Sequence, residues 1–390
     1  MEFLIIANGP KICKIKGGCF VSKKIRLVLV SMLIVSMLFA SGCGGGVQEA
    51  NDDNDTGEEQ LKMAFIMTGP ATDGGWNTAH DKGRLGLQSE LPNVETILLE
   101  NVPDGGGDSE RVMRQLIADG VKIIAATSYG YLETVEKLAK EFPDVYFLHC
   151  TGGTVSDNIT AYDIREYQGT YLTGIVAGMM TESNIIGYAA AHPIPSVVRS
   201  INGFAMGVKA VNPDAKVKLL WTNTWYDPAT EKEAGLSLAD VGADILAQYQ
   251  DSPAVQQAAA ERGLYSIGYH SDMRPFAPDA NLTSFMWNWA PFYIEEAKAY
   301  MEGTWKGHAY WGSMEEGAAE IAELNDKLVG EEVNDLVEQT KQKLISGELE
   351  VFAGPILNNE GVAVAEDGMK LTDEEMLSMN WLLDNIEGSL

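Results

Sequence analysis

The chain has 390 residues, 45% hydrophobic and 22% charged, with 40 glycines. That is too long for one typical domain and ample for two α/β lobes with cores of their own. Six basic side chains (Lys11, Lys14, Lys16, Lys23, Lys24, Arg26) and one acid (Glu2) precede residue 43, and the remainder carries 22 basic against 55 acidic residues. So acidic a body repels nucleic acid and anionic lipid surfaces, which argues against both as partners.

Lys23, Lys24 and Arg26 lead into an apolar run from Leu27 to Phe39, closed by Ala40-Ser-Gly-Cys43. A basic stretch, a short apolar stretch and small residues at the cut are the parts of a secretory signal. The run falls short of the ~20 residues that a transmembrane helix needs. A cysteine directly after Ser-Gly resembles a bacterial lipobox, in which Cys43 takes lipid and becomes the new N-terminus. Ala40 stands where leucine is usual. Residues 1–42 are therefore expected to be a signal peptide, with Met1–Phe20 an over-extended start, because a signal beginning near Val21 is complete by itself. Gly44 to Gln60 is Gly, Asp, Asn and Glu with almost nothing apolar, so 43–60 reads as a lipidated flexible tether. Cys150, which ends the apolar run from Val145, is then the one thiol of the body and reads as a buried structural group.

From Leu61 short apolar runs alternate with longer amphipathic stretches. The spacing predicts strands over 61–67, 94–99, 121–126 and 144–148, with helices near 75–90, 108–119 and 130–141. A second series opens with a helix over 166–181. Strands at 184–190, 216–221, 243–247 and 264–269 then alternate with helices at 196–211, 229–240 and 252–262. Such alternation predicts α/β architecture with parallel sheets, and two series predict two lobes. A strand at 282–286, a helix at 291–302, short β pieces and a helix at 332–346 complete both lobes, with the chain crossing between them more than once.

The distinctive residues follow the predicted strands, where open parallel sheets bind their ligands. Asp73-Gly-Gly-Trp76 opens the first helix: Asp73 can cap it or accept from a ligand, and Trp76 either packs under the loop or stacks on a flat ligand. Five of the eight tryptophans (Trp76, Trp221, Trp225, Trp287, Trp289) fall in these loops, with Tyr129, Tyr226 and Tyr269 beside them. That is the build of a small-molecule pocket for a ring-shaped ligand. Asp272 can accept from ligand N–H or O–H groups or cap a helix, and Asn223 can pair with a base edge. Asp227-Pro228 reads as a cap and first helical position. Glu166 begins the helix that enters the second lobe, where an acid is ordinary and a binding role is the sharper alternative.

Catalysis finds little support. The five histidines (His80, His149, His192, His270, His308) show no zinc-ligand spacing, and there is neither a G-x-S-x-G elbow nor a phosphate loop. Asp104-Gly-Gly-Gly-Asp108 lacks a basic residue and reads as a plain connection. His80 either supports the Trp76 loop or is a solvated helix residue.

Phe65-Ile-Met-Thr-Gly-Pro, Asp73-Gly-Gly-Trp-Asn, Asn223-Thr-Trp-Tyr-Asp-Pro and Gly268-Tyr-His-Ser-Asp272 resemble, in order, the basic membrane protein family of ABC-transporter substrate-binding lipoproteins, to which purine nucleoside receptors belong. The resemblance spans roughly 61–370. It implies a type I periplasmic-binding-protein fold, two doubly wound lobes joined by a hinge with three crossovers and a ligand cleft between them. It also implies a nucleoside or base held between aromatic rings, with Trp76 stacking and Asp272 as the second-lobe carboxylate. Trp287-Asn-Trp stands where such receptors carry a lysine near the ribose, which shifts the expectation towards a base such as adenine.

The expected organisation is lobe I from 61–163 plus about 288–310, lobe II from 164–287 plus about 311–372, and a C-terminal helix over 373–390. The expected function is capture of a purine base or nucleoside for an ABC permease. The expected protein is a monomer without cofactor or metal, held to the membrane through lipid on Cys43. Asp73, Trp76, Tyr129, Glu166, Asn223, Trp225, Asp272 and Trp287 are the candidate ligand contacts. A binding protein of the same fold for a pentose or a signalling molecule is the alternative; an extracellular nucleoside hydrolase lacks its metal or nucleophile.

Overall fold

A computed structural model describes residues 60–390, so the signal, Cys43 and nearly all of the tether lie outside the described residues. The first series is β1 (Lys62–Ile66), α1 (Trp76–Glu90), β2 (Glu95–Leu99), α2 (Gly107–Ala118), β3 (Ile123–Ala126), α3 (Leu132–Glu141), β4 (Tyr146–Cys150) and β5 (Ile159–Ile164). The second is α4 (Glu166–Met180), β6 (Ile185–Ala190), α5 (Pro195–Val211), β7 (Lys216–Trp221), α6 (Pro228–Asp240), β8 (Ile245–Tyr249), α7 (Ala254–Arg262), β9 (Tyr265–Gly268) and β10 (Asn281–Trp287). Then come α8 (Ala290–Met301), β11 (Ala309–Gly312), β12 (Ala319–Ile321), α9 (Glu331–Ile345), β13 (Ile356–Leu357), β14 (Ala363–Ala365), α10 (Asp373–Leu377) and β15 (Ile386–Glu387).

Two sheets result. The first has the order β11-β5-β4-β3-β1-β2 and is parallel throughout; the second has the order β12-β10-β9-β8-β6-β7-β15, with only β12 antiparallel. Strands such as β1 and β8 are buried along nearly their whole length because helices cover both faces of a parallel sheet, which is why they read as unbroken apolar runs. The chain passes between the sheets three times, from β5 to β6, from β10 to β11 and from β11 to β12.

Helix starts follow ordinary cap chemistry. The Asp227 carboxylate accepts from the Ala229 and Thr230 amides at 3.1 and 3.2 Å with Pro228 next in the chain, and Thr372 with Glu375 forms a reciprocal capping box. In the second lobe α4 and α5 meet backbone to backbone. A side chain at Gly174 would collide with the Phe204 carbonyl, and one at Gly207 with the Tyr171 carbonyl. Twelve of the fifteen residues of α4 are buried.

Two expectations differ from the structure. Strand β5 goes unseen in the sequence because Thr160 and Asp163 break its apolar pattern. Yet it lies between β4 and β11, with Thr160 fully buried and Asp163 facing Arg199 at 3.7 Å. The helix expected over 373–390 stops at Leu377, and residues 386–387 instead add a parallel strand beside β7. Asn202 and Asn385 satisfy the backbone of this irregular tail and its neighbour: Asn202 donates to Trp381 O at 2.7 Å and accepts from Leu383 N at 2.9 Å, and Asn385 donates to Ala205 O at 3.0 Å. Cys150 is free and buried, and burial raises its thiol well above the usual range.

Candidate ligand-binding site

The turn between β1 and α1 is organised by Asp73. One carboxylate oxygen accepts from the Gly75 and Thr78 amides and the Thr78 hydroxyl at 2.8–3.0 Å, and the other accepts from the Asn77 amide at 3.0 Å and its side-chain N–H at 2.7 Å. Both oxygens are thus occupied by their own loop, and the helix start is capped from two residues before Gly75. This fixes Trp76 at the first helical position, and its indole N–H donates to Thr127 O at 2.8 Å at the end of β3. Trp76 is only partly buried.

Around Trp76 the structure gathers rings from four segments. Its ring meets His80 edge-on at 4.6 Å, Trp287 at 5.5 Å, and His270 and Trp289 at 5.9 Å. Trp287 and Trp289 stack with a 4° tilt at 5.3 Å, and His80 stacks on Trp289 at 4.8 Å. Each of these rings belongs to the end of a strand or to the helix that follows it, because the second lobe's strand ends face those of the first.

Polar atoms inside this cluster are unevenly satisfied. His80 Nδ1 and the Tyr293 hydroxyl lie 2.7 Å apart, and the Tyr162 hydroxyl lies 2.9 Å from that of Tyr293. Burial, with His270 adding to it, holds His80 well below its usual range, so its ring is neutral at pH 7. The Trp287 indole N–H donates to His270 Nδ1 at 2.8 Å. Yet His80 Nε2, His270 Nε2 and Trp289 Nε1 are buried without a hydrogen-bond partner among the described residues. An unpaired buried polar group costs about 1–3 kcal/mol, so three around one indole mark a place built for something else to bind.

The lobes touch beside this cluster. The Ser271 hydroxyl donates to Gly74 O at 2.7 Å, and the Phe276 ring would meet a side chain at Gly74 at 3.1 Å. A side chain at Gly75 would strike the Asp251 carbonyl. Gly74 itself has φ of 83°, a left-handed turn open to glycine.

The remaining candidates scatter. Trp225 is half exposed, edge-on to His192 at 4.9 Å and 6.4 Å from Tyr249, which in turn meets His270 at 5.4 Å; it stands at the border of the cluster. Asn223 is exposed with φ of 55°. Tyr129 is 62% exposed, two residues past the carbonyl that holds Trp76. Asp272 turns to its own segment, accepting from the Arg274 amide at 3.0 Å and facing its guanidinium at 3.4 Å. Glu166 is fully buried and grips Arg199 with two bonds of 2.8 and 3.0 Å; burial pushes its carboxyl up to about 7 against the pull of Arg199. This makes Glu166 one half of a structural ion pair between α4 and α5.

His270, His80, Trp289 and Asp251 complete the cluster and are absent from the sequence-based set of contacts. His270 stands in the Gly268–Asp272 motif, where the carboxylate drew the eye, and Trp289 was one of the five loop tryptophans. Asp251 follows β8, so the strand-end position was its only signal.

Among the described residues no three His, Cys, Asp or Glu side chains come together as a metal site, and no helix is long and apolar enough to cross a membrane. The family described as Bmp, ABC transporter substrate-binding protein PnrA-like, matches residues 60–353. A purine-binding protein of Brucella abortus (strain 2308) is 42% identical over 334 residues, covering 85% of this chain and 95% of that one. A putative ABC transporter glucose-binding protein of Haloferax volcanii is 39% identical over 321 residues, covering 82% of this chain and 81% of that one. A solved solute-binding protein of an ABC transporter system from Conexibacter woesei shares the fold, with a TM-score of 0.63 at 24% identity over 74% of this chain and 98% of that one. Two doubly wound lobes, three crossovers and an aromatic cluster between facing strand ends fit these matches, and the chain belongs to the Bmp family of ABC transporter substrate-binding proteins.

Proposed function

We propose that this substrate-binding protein captures a purine base, with an adenine-like base favoured over a nucleoside, and delivers it to an ABC permease while tethered through lipid on Cys43. The observation that carries the reading is the trio of unpaired buried nitrogens set among stacked indoles around Trp76. A planar heterocycle offers both a π-face for such rings and in-plane nitrogens for such donors. Trp76 and Trp225 supply the flanking rings, with Trp287 holding His270 behind them. Asp73 acts by fixing Trp76, and Glu166 by bracing the second lobe. The Brucella relative's name supports the purine reading.

A sugar is the second reading, because tryptophan also stacks on sugar faces and the Haloferax relative is named for glucose. Binding works by selection: a ligand that prefers the closed lobes shifts the population towards them and leaves chemically unchanged.

Thermal-shift and calorimetric titrations with purines, nucleosides, pentoses and glucose separate the readings, since a ligand stabilises the state it binds by mass action. Adenine or a related base should raise the melting temperature most. A rise with sugars alone would refute the purine reading. The anchor is tested apart from the ligand: Cys43→Ser should abolish incorporation of labelled fatty acid into the expressed chain, and unchanged labelling would remove the lipid.

A further inference from the structure

Behind Trp76 two polar side chains of the second lobe stand side by side with almost no partners. Asp251 follows β8, and its Oδ1 lies 3.0 Å from His270 Nε2 without the alignment of a hydrogen bond. The Asp251 side chain is 17% exposed at the seam where its own carbonyl abuts Gly75. A carboxylate has lone pairs for about four donors, so one misaligned neighbour leaves most of them for another molecule.

His270 is held with some strain. Its φ is 71°, a left-handed conformation uncommon for residues other than glycine, though histidine is among those that adopt it. Such conformations persist where the surroundings over-determine them, often at ligand sites. The surroundings here are Tyr269 edge-on at 4.5 Å, Tyr249 at 5.4 Å and the Trp287 indole. An indole N–H can only donate, so Nδ1 must accept, and the neutral ring carries its proton on Nε2. The result is a fixed N–H donor next to a carboxylate acceptor.

We infer that Asp251 and the Nε2–H of His270 form a specificity-determining pair that reads one edge of the ligand, an acceptor nitrogen adjacent to an N–H or amino donor, as in an amidine N=C–NH. This rests on the base reading given above and deepens it. The ligand's N–H donates to Asp251 and its ring nitrogen accepts from His270. Trp287 is a positioning residue that selects the histidine tautomer. Such an edge is offered by adenine on each of its faces, and alkylation of the donor nitrogen destroys one of them.

The test is a cycle between protein and ligand, run on the full chain. Binding of adenine and of its N-methylated isomers is measured by calorimetry for the wild type, Asp251→Asn and Trp287→Phe, with melting temperatures of the free proteins in parallel. One methyl isomer should bind the wild type at least tenfold more weakly than adenine. Against Asp251→Asn that discrimination should shrink to within about threefold, because the partner it depends on has changed. Trp287→Phe, which keeps a ring but frees the histidine tautomer, should weaken adenine binding several-fold. If wild type and Asp251→Asn discriminate equally among all the isomers, the pair does not read the ligand and this inference falls alone. If the wild type binds no base at all, the proposed function falls and takes the inference with it. A large loss of melting temperature in Trp287→Phe leaves Asp251→Asn as the deciding arm.

Discussion

Two buried polar clusters stand near the junction of the lobes, and they are built on opposite plans. At the start of α4, Glu166 grips Arg199, which also faces Asp163 at 3.7 Å and lies over the Trp311 ring at 4.9 Å; Arg165 covers the same ring at 4.1 Å and pairs with Asp373 at 2.7 Å. Each charge there is answered from within. Around Trp76, by contrast, three nitrogens have no hydrogen-bond partner among the described residues, and the Asp251 carboxylate has one poor neighbour. The first arrangement is what holds a hinge, since removing one partner strands a buried charge. The second is destabilising unless a ligand completes it. Satisfaction of polar atoms, more than the kind of residue, separates scaffold from site in this molecule.

The comparison can be broken most forcefully at Glu166. Replacing it by alanine should cost about 3–5 kcal/mol by leaving Arg199 buried and alone, measured by denaturant unfolding with no ligand present. A loss under about 1 kcal/mol would mean the cluster is not a brace. A subtler probe is pH. The Glu166 carboxyl titrates at about 7 in the folded chain, above its ordinary 4.5. Its contribution is therefore present in full below 4.5 and declines as pH rises through 7, by at most about 3 kcal/mol. Glu296, pushed up to about 7 chiefly by burial, acts in the same direction. Unfolding midpoints should fall from pH 5 to pH 8, and Glu166→Gln should flatten part of that slope; an unaltered slope would refute the assignment to Glu166. The smallest effect belongs to the unsatisfied side. Trp76→Ala should weaken base binding by about 1–3 kcal/mol in calorimetry, as expected for loss of one stacking ring. Unchanged affinity would put the ligand elsewhere.

Much of the fold was legible because parallel strands covered on both faces leave unbroken apolar runs, and amphipathic stretches between them have the helical period. Strand β5 escaped because its polar residues are paid for in three dimensions, Thr160 close to His308 and Asp163 towards Arg199, and such partners are invisible along the chain. The address of the site was legible for a topological reason: facing strand ends collect whatever follows the strands. Its membership was not. Asp73, Asp272 and Glu166 are carboxylates in loops or first turns, and a sequence cannot say whether such a group caps its own helix, meets a neighbouring arginine or waits for a ligand. All three have protein partners. His270 and Asp251 carry the opposite property, and only geometry reveals an atom that lacks a partner.

The threading of the sheets also sets an order of assembly. The first sheet cannot receive its edge strand β11 until residue 312 has been made, and the second lacks β15 until residue 387. A chain emerging from its N-terminus therefore carries neither lobe finished through most of its synthesis, and the last few residues close the second. For a polypeptide destined to be threaded across a membrane before it folds, late completion is an advantage: the segments that would lock each lobe shut arrive after the rest has had time to pass.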